Sequence, residues 1–494
     1  MGKKLPIFYN ALLLTSVNLL LRFVSTGFQV YLSGKIGAAG IGLLQLVLSV
    51  GGLALTAGMA GIRTATMYLT AEELGKRRPE NVRWVLSACM KYSLVCSGAI
   101  AIALYFLAPA IAADWMGQPA TVGTVRLFAF FLPINCLCGV MVGYFTAANR
   151  IGTLSAVEVG EQACSMILTV ALLHFWAGSD PVRACTGVVM GSGLSACFTL
   201  LCLLYLHRGE CAPAGKRISV RYRLFKTAIP LALADDLKSG ISTAENLMVP
   251  KRLALCQRIG DPLAAFGMVC GMVFPVLMFP MAILFGLAEL LIPELARCAA
   301  AGSQKRIRYL AMRSIRLAML YGCFFCGILF LLSDELCLWL YHNQDAGLYL
   351  RRFALLAPML YCDAITDAMI KGLGQQTACV RYNILTSAMD VLLLFLLLPR
   401  YGIEGYFVSF LVTHLLNFAL SIRRLLKLTG RLIAPVVPVL LLAATGISIL
   451  LAGLLSFAVA KVVAFALLLG SLLILLRIVN MEDVRWIKGL LRKK

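Results

Sequence analysis

One apolar stretch near the middle of the chain carries polar side chains at helical spacing. Its polar residues advance in steps of three and four and so share one helix face: Asp235, Lys238, Ser239, Ser242, Glu245 and Asn246. A polar row on a helix inside a membrane must face water, a ligand or another helix. The spacing therefore predicts one wall of a wet cavity or the face between two halves of a protein.

The acidic residues of this stretch could bind a proton or a cation. Asp235 and Lys238 can neutralise each other, whereas Asp236 and Glu245 find no partner on the same helix. A carboxyl group held away from water can exchange a proton or bind a metal cation. We therefore predict Asp235, Asp236 and Glu245 as sites of coupling to H+ or Na+. Hydrogen bonding between helices is the alternative.

A second acidic row has the same spacing. Asp363, Asp367 and Lys371 are four residues apart, which places them on one helix face. Asp363 and Asp367 are further candidates for ion coupling, and a packing network between helices explains the same pattern.

Cations also lie inside apolar segments. Arg22 stands about fourteen residues into the first segment, roughly 21 Å along a helix. A guanidinium can bind a diphosphate through paired hydrogen bonds, or it can pair with an acid on a neighbouring helix. Arg63, near the end of the second segment, either adds to a basic cavity with Lys238 or extends to the lipid headgroups.

Patterns of enzymatic chemistry are missing from the sequence. No GxxxxGK[ST] motif is present, the four histidines are scattered, and no CxxC pair has a second pair at metal-ligand spacing. We therefore expect no enzyme, no direct ATP drive, no bound metal and no cofactor.

Helices that cross a membrane must position these residues. Of 494 residues, 61% are hydrophobic and 14% are charged, with mean hydropathy +0.88. Soluble proteins carry about 25% charged residues. Apolar runs of about 20 residues recur along the whole chain. The composition predicts an all-α polytopic membrane protein with about fourteen transmembrane helices, from Phe8–Leu32 to Val462–Leu476.

The basic residues predict the orientation. The net charge is +22, and 31 of the 45 Lys and Arg residues fall on one side when the spans alternate, against 10 on the other. Short cytoplasmic loops are rich in Lys and Arg. We therefore predict cytoplasmic N- and C-termini, and interpret the positive charge as topology rather than nucleic-acid binding.

Glycine and proline residues predict interruptions of the spans. Gly51, Gly52 and Gly58 lie in the second predicted span, and Pro275 and Pro280 lie in the eighth. Proline removes a backbone hydrogen bond and bends a helix. These points are either hinges or kinks that serve packing alone.

The chain also repeats itself. Phe128–Pro133 resembles Phe353–Pro358, which begins 225 residues later. The same offset of 225 residues, here called the repeat offset, also pairs Gly42 with Gly267 and Arg83 with Arg308. The repeat offset covers six spans and so returns the chain to the same side, which makes the repeat parallel. We predict two six-helix lobes, residues 1–215 and 216–430, followed by two extra helices and a basic cytoplasmic tail in residues 431–494.

Several stretches resemble a known family in order and spacing. They are Lys35–Gln45, Gly61–Glu72, Gly143–Phe145, Glu161–Gln162, Pro275–Pro280, Leu291–Pro293, Gly372–Gly374 and Gly402–Gly405. Together they resemble the stage V sporulation protein B family, flippases of polysaccharides and lipid-linked oligosaccharides. That family is part of the multidrug/oligosaccharidyl-lipid/polysaccharide exporter superfamily.

The resemblance implies a function and a site. It implies a transporter that flips a polyprenyl-diphosphate-linked glycan, a peptidoglycan precursor, across the bacterial cytoplasmic membrane by alternating access, in spore or cell-wall biogenesis. Arg22 matches an arginine common in the first helix of the family, and Gln29 stands where the family often has a second basic residue. The implied partners are the glycan lipid, membrane lipids and cell-wall synthesis enzymes, and the chain is expected to be a monomer. A cation-coupled multidrug or small-molecule antiporter is the alternative.

Overall fold

The described part of the chain is helical. The structure is a computed structural model and describes residues 7–76, 78–178, 180–208, 220–430 and 436–476. Its α-helices are α1 (Ile7–Met59), α2 (Ile62–Gly75), α3 (Pro79–Ala110), α4 (Val122–Ala147), α5 (Ile151–Leu172), α6 (Pro181–Arg208), α7 (Arg221–Leu253), α8 (Pro262–Met268), α9 (Phe274–Met278), α10 (Met281–Ala300), α11 (Gln304–Leu331), α12 (Ser333–Tyr341), α13 (Gln344–Ala354), α14 (Ala357–Gly372), α15 (Gln376–Tyr401), α16 (Ile403–Thr429), α17 (Val436–Ala452) and α18 (Ala458–Leu475). Three π-helical turns extend or join them: Ile111–Trp115, Leu173–Ala177 and Val269–Val273.

The number of membrane spans follows from length and composition. Nine helical runs within the described ranges are long and apolar enough to cross a membrane, and two bent helix pairs raise the number to eleven. The run Leu19–Gly75 has 57 residues, roughly 85 Å at 1.5 Å per residue. Since a hydrocarbon core is about 30 Å thick, this run supplies two spans.

Two further helices, α7 and α17, are not among these runs because one is too polar and the other is too short. α7 is long enough but carries the polar row predicted above, and α17 has only 17 residues. Counted as spans, α7 and α17 bring the number within the described ranges to the fourteen that the sequence predicts. The predicted all-α polytopic fold is confirmed.

Helix boundaries reproduce the repeat seen in the sequence. Six boundaries of the first half recur in the second half at the repeat offset, in the pairs Gly37 and Pro262, Gly75 and Ala300, Pro79 and Gln304, Pro119 and Gln344, Ala147 and Gly372, and Ile151 and Gln376. Two pairs of residues with positive φ keep the same offset, Gly117 with His342 and Asn149 with Gly374. At these two turns the halves share the loop length and the turn conformation that a parallel repeat predicts.

The chain divides into two compact units. The first comprises Met1–Gly271 with Asp390–Tyr406. One of its apolar cores joins Ile62, Leu69 and Phe145 to Leu224 and Ala228 of α7. The first third of α7 therefore packs into the same core as α2, α3 and α4.

The second unit comprises Met272–Met389 with Phe407–Lys494. Its extra helices α17 and α18 pack against α11, where the ring of Phe465 lies over Gly327. Lys461 of α18 donates a 2.6 Å hydrogen bond to Glu335 of α12. The predicted division at residues 215 and 430 stays a prediction, since the linker residues 209–219 and 431–435 and the tail 477–494 lie outside the described residues.

Candidate functional site

A cavity of about 610 Å³ lies between α7 and the α1–α2 segment. Two cations, Arg63 and Lys238, and one acid, Asp235, line it. The rest of its polar lining is neutral: Gln45, Ser49, Thr56, Thr64, Ser239, Ser242, Thr243 and Asn246. The cavity therefore joins a basic part to a part rich in hydroxyl and amide groups.

The sequence builds both walls from helix periodicity. On α1 the lining residues Gln45, Ser49, Gly52, Thr56 and Met59 advance in steps of three and four, which is one face of a helix. The hydroxyls of Ser49 and Thr56 donate to backbone oxygens four residues earlier, at 2.7 and 2.8 Å. Such local bonds satisfy hydroxyl groups within a membrane helix.

A break in the backbone places Arg63 at a helix N-terminus. α1 ends at Met59, Ala60 and Gly61 have φ of 43° and 69°, and α2 begins at Ile62. Arg63 and Thr64 therefore stand in the first turn of a 14-residue helix, and both line the cavity. A helix N-terminus presents backbone N–H groups and the positive end of the helix dipole. This end of the cavity is consequently suited to an anion.

The two walls meet at one end of the cavity through polar contacts. Thr243 donates a 3.1 Å hydrogen bond to the backbone oxygen of Ser49, and the Asn246 amide donates to the Ser49 hydroxyl at 3.0 Å. Of the predicted α7 row, Asp235, Lys238, Ser239, Ser242 and Asn246 line the cavity. Asn246 also bonds α1, as does Thr243, which was not part of the predicted row.

An ion cluster joins the same helices toward their other end. The Arg223 guanidinium of α7 donates to Glu73 at 2.8 Å and to Glu72 at 2.5 Å. Glu73 is only 2% exposed and also accepts a 2.9 Å hydrogen bond from Asn81. The cavity therefore lies between two points at which α7 is fastened to the α1–α2 segment.

Glu245 has a partner that its own helix could not supply. Its carboxyl group lies beside that of Asp390 on α15, which is 7% exposed. Tyr406 and Cys270 lie close by, with 3.9 Å between the phenol oxygen and the sulfur. Two carboxyl groups placed side by side away from water are suited to binding one cation, H+ or Na+.

The other predicted site residues are dispersed. The Oδ1 atom of Asp236 is buried, finds no hydrogen-bond partner among the described residues, and lies on the side of Tyr92 rather than in the cavity lining. Arg22 is exposed and is not among the cavity-lining residues. The Gln29 amide donates a 3.2 Å hydrogen bond to the backbone oxygen of Gly271. The proposed roles of Arg22 and Gln29 in substrate binding stay predictions.

The acids of α14 bond to α16 within the second unit. Asn417 donates to Asp363 at 2.9 Å, and Ser421 donates to Asp367 at 3.0 Å. Both contacts span 54 residues, so the two acids pair in register with a neighbouring helix. This geometry favours the packing network over ion coupling, which stays a prediction.

A second polar cavity, of about 420 Å³, lies in the first unit. Glu158, Glu161 and Gln162 of α5 line it with Asn135 and serines of α5 and α6. Glu158 and Glu161 were not among the site residues predicted from the sequence. Their meeting with Asn135 requires tertiary contacts that spacing along one helix does not reveal.

Comparison with known proteins places this geometry in context. Residues 7–235 match the profile of a family described as polysaccharide biosynthesis protein. Stage V sporulation protein B of Bacillus subtilis (strain 168) is 21% identical over 411 residues, which cover 80% of this chain and 79% of that protein. The resemblance predicted from the sequence motifs is confirmed.

Solved structures share the fold. The lipid II flippase MurJ, in an inward closed conformation, aligns with a TM-score of 0.72 at 12% identity, over 94% of this chain and 99% of that one. An inward-facing multidrug resistance MATE family transporter of the MOP superfamily aligns with a TM-score of 0.67 at 15% identity, over 85% and 98%. One of these proteins is a flippase and the other a multidrug transporter. The chain is a multi-pass membrane protein with the fold of these transporters.

Proposed function

We propose that this chain is a transporter that carries a lipid-linked glycan across the bacterial cytoplasmic membrane by alternating access. Its substrate is a polyprenyl-diphosphate-linked sugar, a peptidoglycan precursor, used in cell-wall or spore biogenesis. One observation carries the proposal, namely that the cavity between α7 and α1–α2 holds Arg63 and Lys238 beside a helix N-terminus.

The charges of the cavity select an anion. Two cations face a single acid, Asp235, in a lining whose other polar groups are neutral. An ionic side chain in the membrane costs at least about 2.5 kcal/mol, so it is retained where it has a partner or a function. A diphosphate offers several acceptor oxygens to a guanidinium, an ammonium and backbone N–H groups together.

The neutral part of the cavity fits a sugar. Gln45, Ser49, Ser242 and Asn246 provide amide and hydroxyl groups that both donate and accept hydrogen bonds. Sugar hydroxyls need such dual partners when they leave water. We propose that the diphosphate lies at Arg63 and Lys238 while the sugar extends along α1 toward Ser49.

The relatives support this assignment at the level of their names. The matching family is described by polysaccharide biosynthesis, the curated relative by sporulation, and one solved structure as a lipid II flippase.

Transport of a purified glycan lipid tests the proposal. In proteoliposomes, Arg63→Gln and Lys238→Gln should each slow translocation of a labelled polyprenyl-diphosphate sugar by about tenfold to a hundredfold, since a charge-assisted hydrogen bond contributes about 1.5–3 kcal/mol. Arg183→Gln is the matched control, because the Arg183 side chain is 63% exposed and pairs only loosely with Asp180. Unchanged transport in both cavity variants, with an active wild type, would refute the proposed role of the cavity.

The second candidate function, a cation-coupled antiporter of small molecules, rests on the smaller cavity. Glu158 and Glu161 line it and no Lys or Arg does, which suits a cationic substrate. The same proteoliposomes decide between the two functions. Movement of organic cations such as ethidium, without movement of the glycan lipid, would reverse the order of the candidates.

A further inference from the structure

α1 and α8 cross at a point where their backbones touch. A Cβ atom built on Gly42 would lie 2.3 Å from the backbone oxygen of Leu263. A Cβ atom on Gly267 would lie 2.0 Å from the backbone oxygen of Ala38 and 2.9 Å from the Gly42 Cα. Only glycine permits so close an approach of two helices in a membrane.

The contact is reciprocal under the sequence repeat. The repeat offset relates Gly42 to Gly267, and it also relates Ala38 to Leu263. Gly42 contacts Leu263, and its counterpart Gly267 contacts Ala38, which is the counterpart of Leu263. A contact of residue i with j and of j with i is the mark of two-fold symmetry. The crossing is thus symmetric under the repeat.

Neighbouring side chains secure the crossing. The Cγ2 atom of Ile41 lies 1.8 Å from where a Cβ atom of Gly271 would be, so the Ile41 side chain fills the space that this glycine leaves. Ile41 is 1% exposed. The Gly271 carbonyl, in the π-helical turn Val269–Val273, accepts the hydrogen bond from Gln29. Gln29 therefore acts here as a link between helices.

The crossing stands just beyond one end of the cavity. Gln45 is three residues from Gly42 and is the cavity-lining residue of α1 nearest to it, about 4.5 Å along a helix. The Arg223 ion cluster lies toward the opposite end. With the N-terminus in the cytoplasm, the Gly42 end is the outer end.

We propose that the Gly42–Gly267 crossing is the outer gate of the cavity, closed by direct backbone contact. The proposal rests on the transport function proposed above. Because glycine brings no side chain, the helices can separate and rejoin without any change of rotamer. Ordinary van der Waals contact begins near 3.4 Å, so one methyl group at either glycine must push the helices apart and hold the gate open.

Hydrogen–deuterium exchange of the full chain in lipid nanodiscs tests this gate. Gly42→Ala and Gly267→Ala should each raise amide exchange about tenfold in peptides that cover residues 38–50 and 262–271, and leave peptides around Glu72 and Arg223 unchanged. Gly34→Ala is the matched control, since Gly34 is an exposed glycine of α1 with no atom within 4 Å of the added Cβ. Ile41→Val adds no atom and should raise exchange in the same peptides by a smaller factor.

The outcomes separate the gate from the transport function. Exchange in Gly42→Ala and Gly267→Ala equal to that of Gly34→Ala would overturn the gate, as would an equal rise at the Arg223 end. Ile41→Val provides a second test if the alanine variants do not fold. Unchanged amide exchange in Ile41→Val would contradict the gate. These readouts need no substrate, so they stand even if the glycan lipid is not transported.

Discussion

The carboxyl groups of Glu245 and Asp390 lie side by side, although they come from helices that are distant in sequence, α7 and α15. Two neighbouring carboxylates repel each other strongly in a medium of low dielectric, and one H+ or monovalent cation bound between them removes that repulsion. We propose this pair as the coupling site. Of its two residues, only Glu245 was among the coupling candidates predicted from the sequence.

Neutral substitutions test the coupling. Glu245→Gln and Asp390→Asn should each abolish the acceleration of glycan-lipid transport by an imposed proton or sodium gradient, because an amide neither takes up a proton nor balances a cation. Initial rates with and without the gradient measure this. Asp180→Asn serves as the control, since Asp180 is a half-exposed acid in the turn before α6. A gradient response that survives in both variants would exclude the pair as the coupling site.

Sequence periodicity predicted part of the site and could not predict its partners. The α7 row placed Asp235, Lys238 and Ser242 on one face, and they line one cavity. Arg63 lines the same cavity because the backbone breaks at Ala60 and Gly61, and the effect of this break is visible only in the tertiary structure. Asp390 was not among the predicted site residues, since nothing in the sequence of α15 indicates that it lies beside α7. Pairs such as Asp363 with Asn417 depend on which helices become neighbours, and spacing within one helix carries no such information.

At the scale of the element, apolar packing and ion pairs hold α7 against α2 within the first unit. Its first third contributes Leu224 and Ala228 to the core around Ile62 and Leu69. Arg223 then satisfies one oxygen of each of two consecutive carboxylates, while Lys76 and Asn81 take the other oxygens. Buried charges with all their partners in place are costly to break one at a time.

Removal of the guanidinium should therefore destabilise the chain. Arg223→Gln leaves the Glu73 carboxylate, which is 2% exposed, without its cation, but the Arg223 side chain is 34% exposed, so we expect a loss of about 1–3 kcal/mol. We expect a fall in the thermal unfolding midpoint of the purified protein. Lys76→Gln is the control, because its side chain is 50% exposed and an exposed pair contributes about 0–1 kcal/mol.

A double substitution sharpens this test. Glu73→Gln with Arg223→Gln should recover part of the lost stability, because no unpaired charge then remains. If Arg223→Gln unfolds no earlier than Lys76→Gln, the cluster does not fasten α7.

The order of elements was the most predictable part of the fold. The repeat offset, found from a few matched residues, recurs at six helix boundaries. The breaks were located only approximately. Gly58 was predicted to interrupt its span, whereas α1 ends at Met59 and the positive φ values fall on Ala60 and Gly61. The α13–α14 pair bends by 57° just before Pro358. Glycine and proline mark where a helix can break, and packing decides where it does.

At the scale of the whole molecule, the distribution of basic residues predicts how the chain is oriented in the membrane. The predicted fourteen spans would place both termini on the same side, and the sequence analysis assigns 31 of the 45 Lys and Arg residues to that side. Because Lys and Arg in short loops remain in the cytoplasm, this side should be the inner one. The assignment of the Gly42–Gly267 crossing to the outer gate depends on this orientation.

Fusion reporters measure this orientation directly. Alkaline phosphatase folds only outside the cytoplasm, so we expect it to be active when fused after Gly178, in the turn between α5 and α6, and inactive when fused after Arg208, at the end of α6, or after Lys494. A green fluorescent protein fused at the same points should show the opposite pattern. The Gly178 and Arg208 fusions differ by a single span and so control for expression and insertion. An active phosphatase after Arg208 would show that the orientation is the opposite of the predicted one. The Gly42–Gly267 crossing would then close the cavity toward the cytoplasm instead.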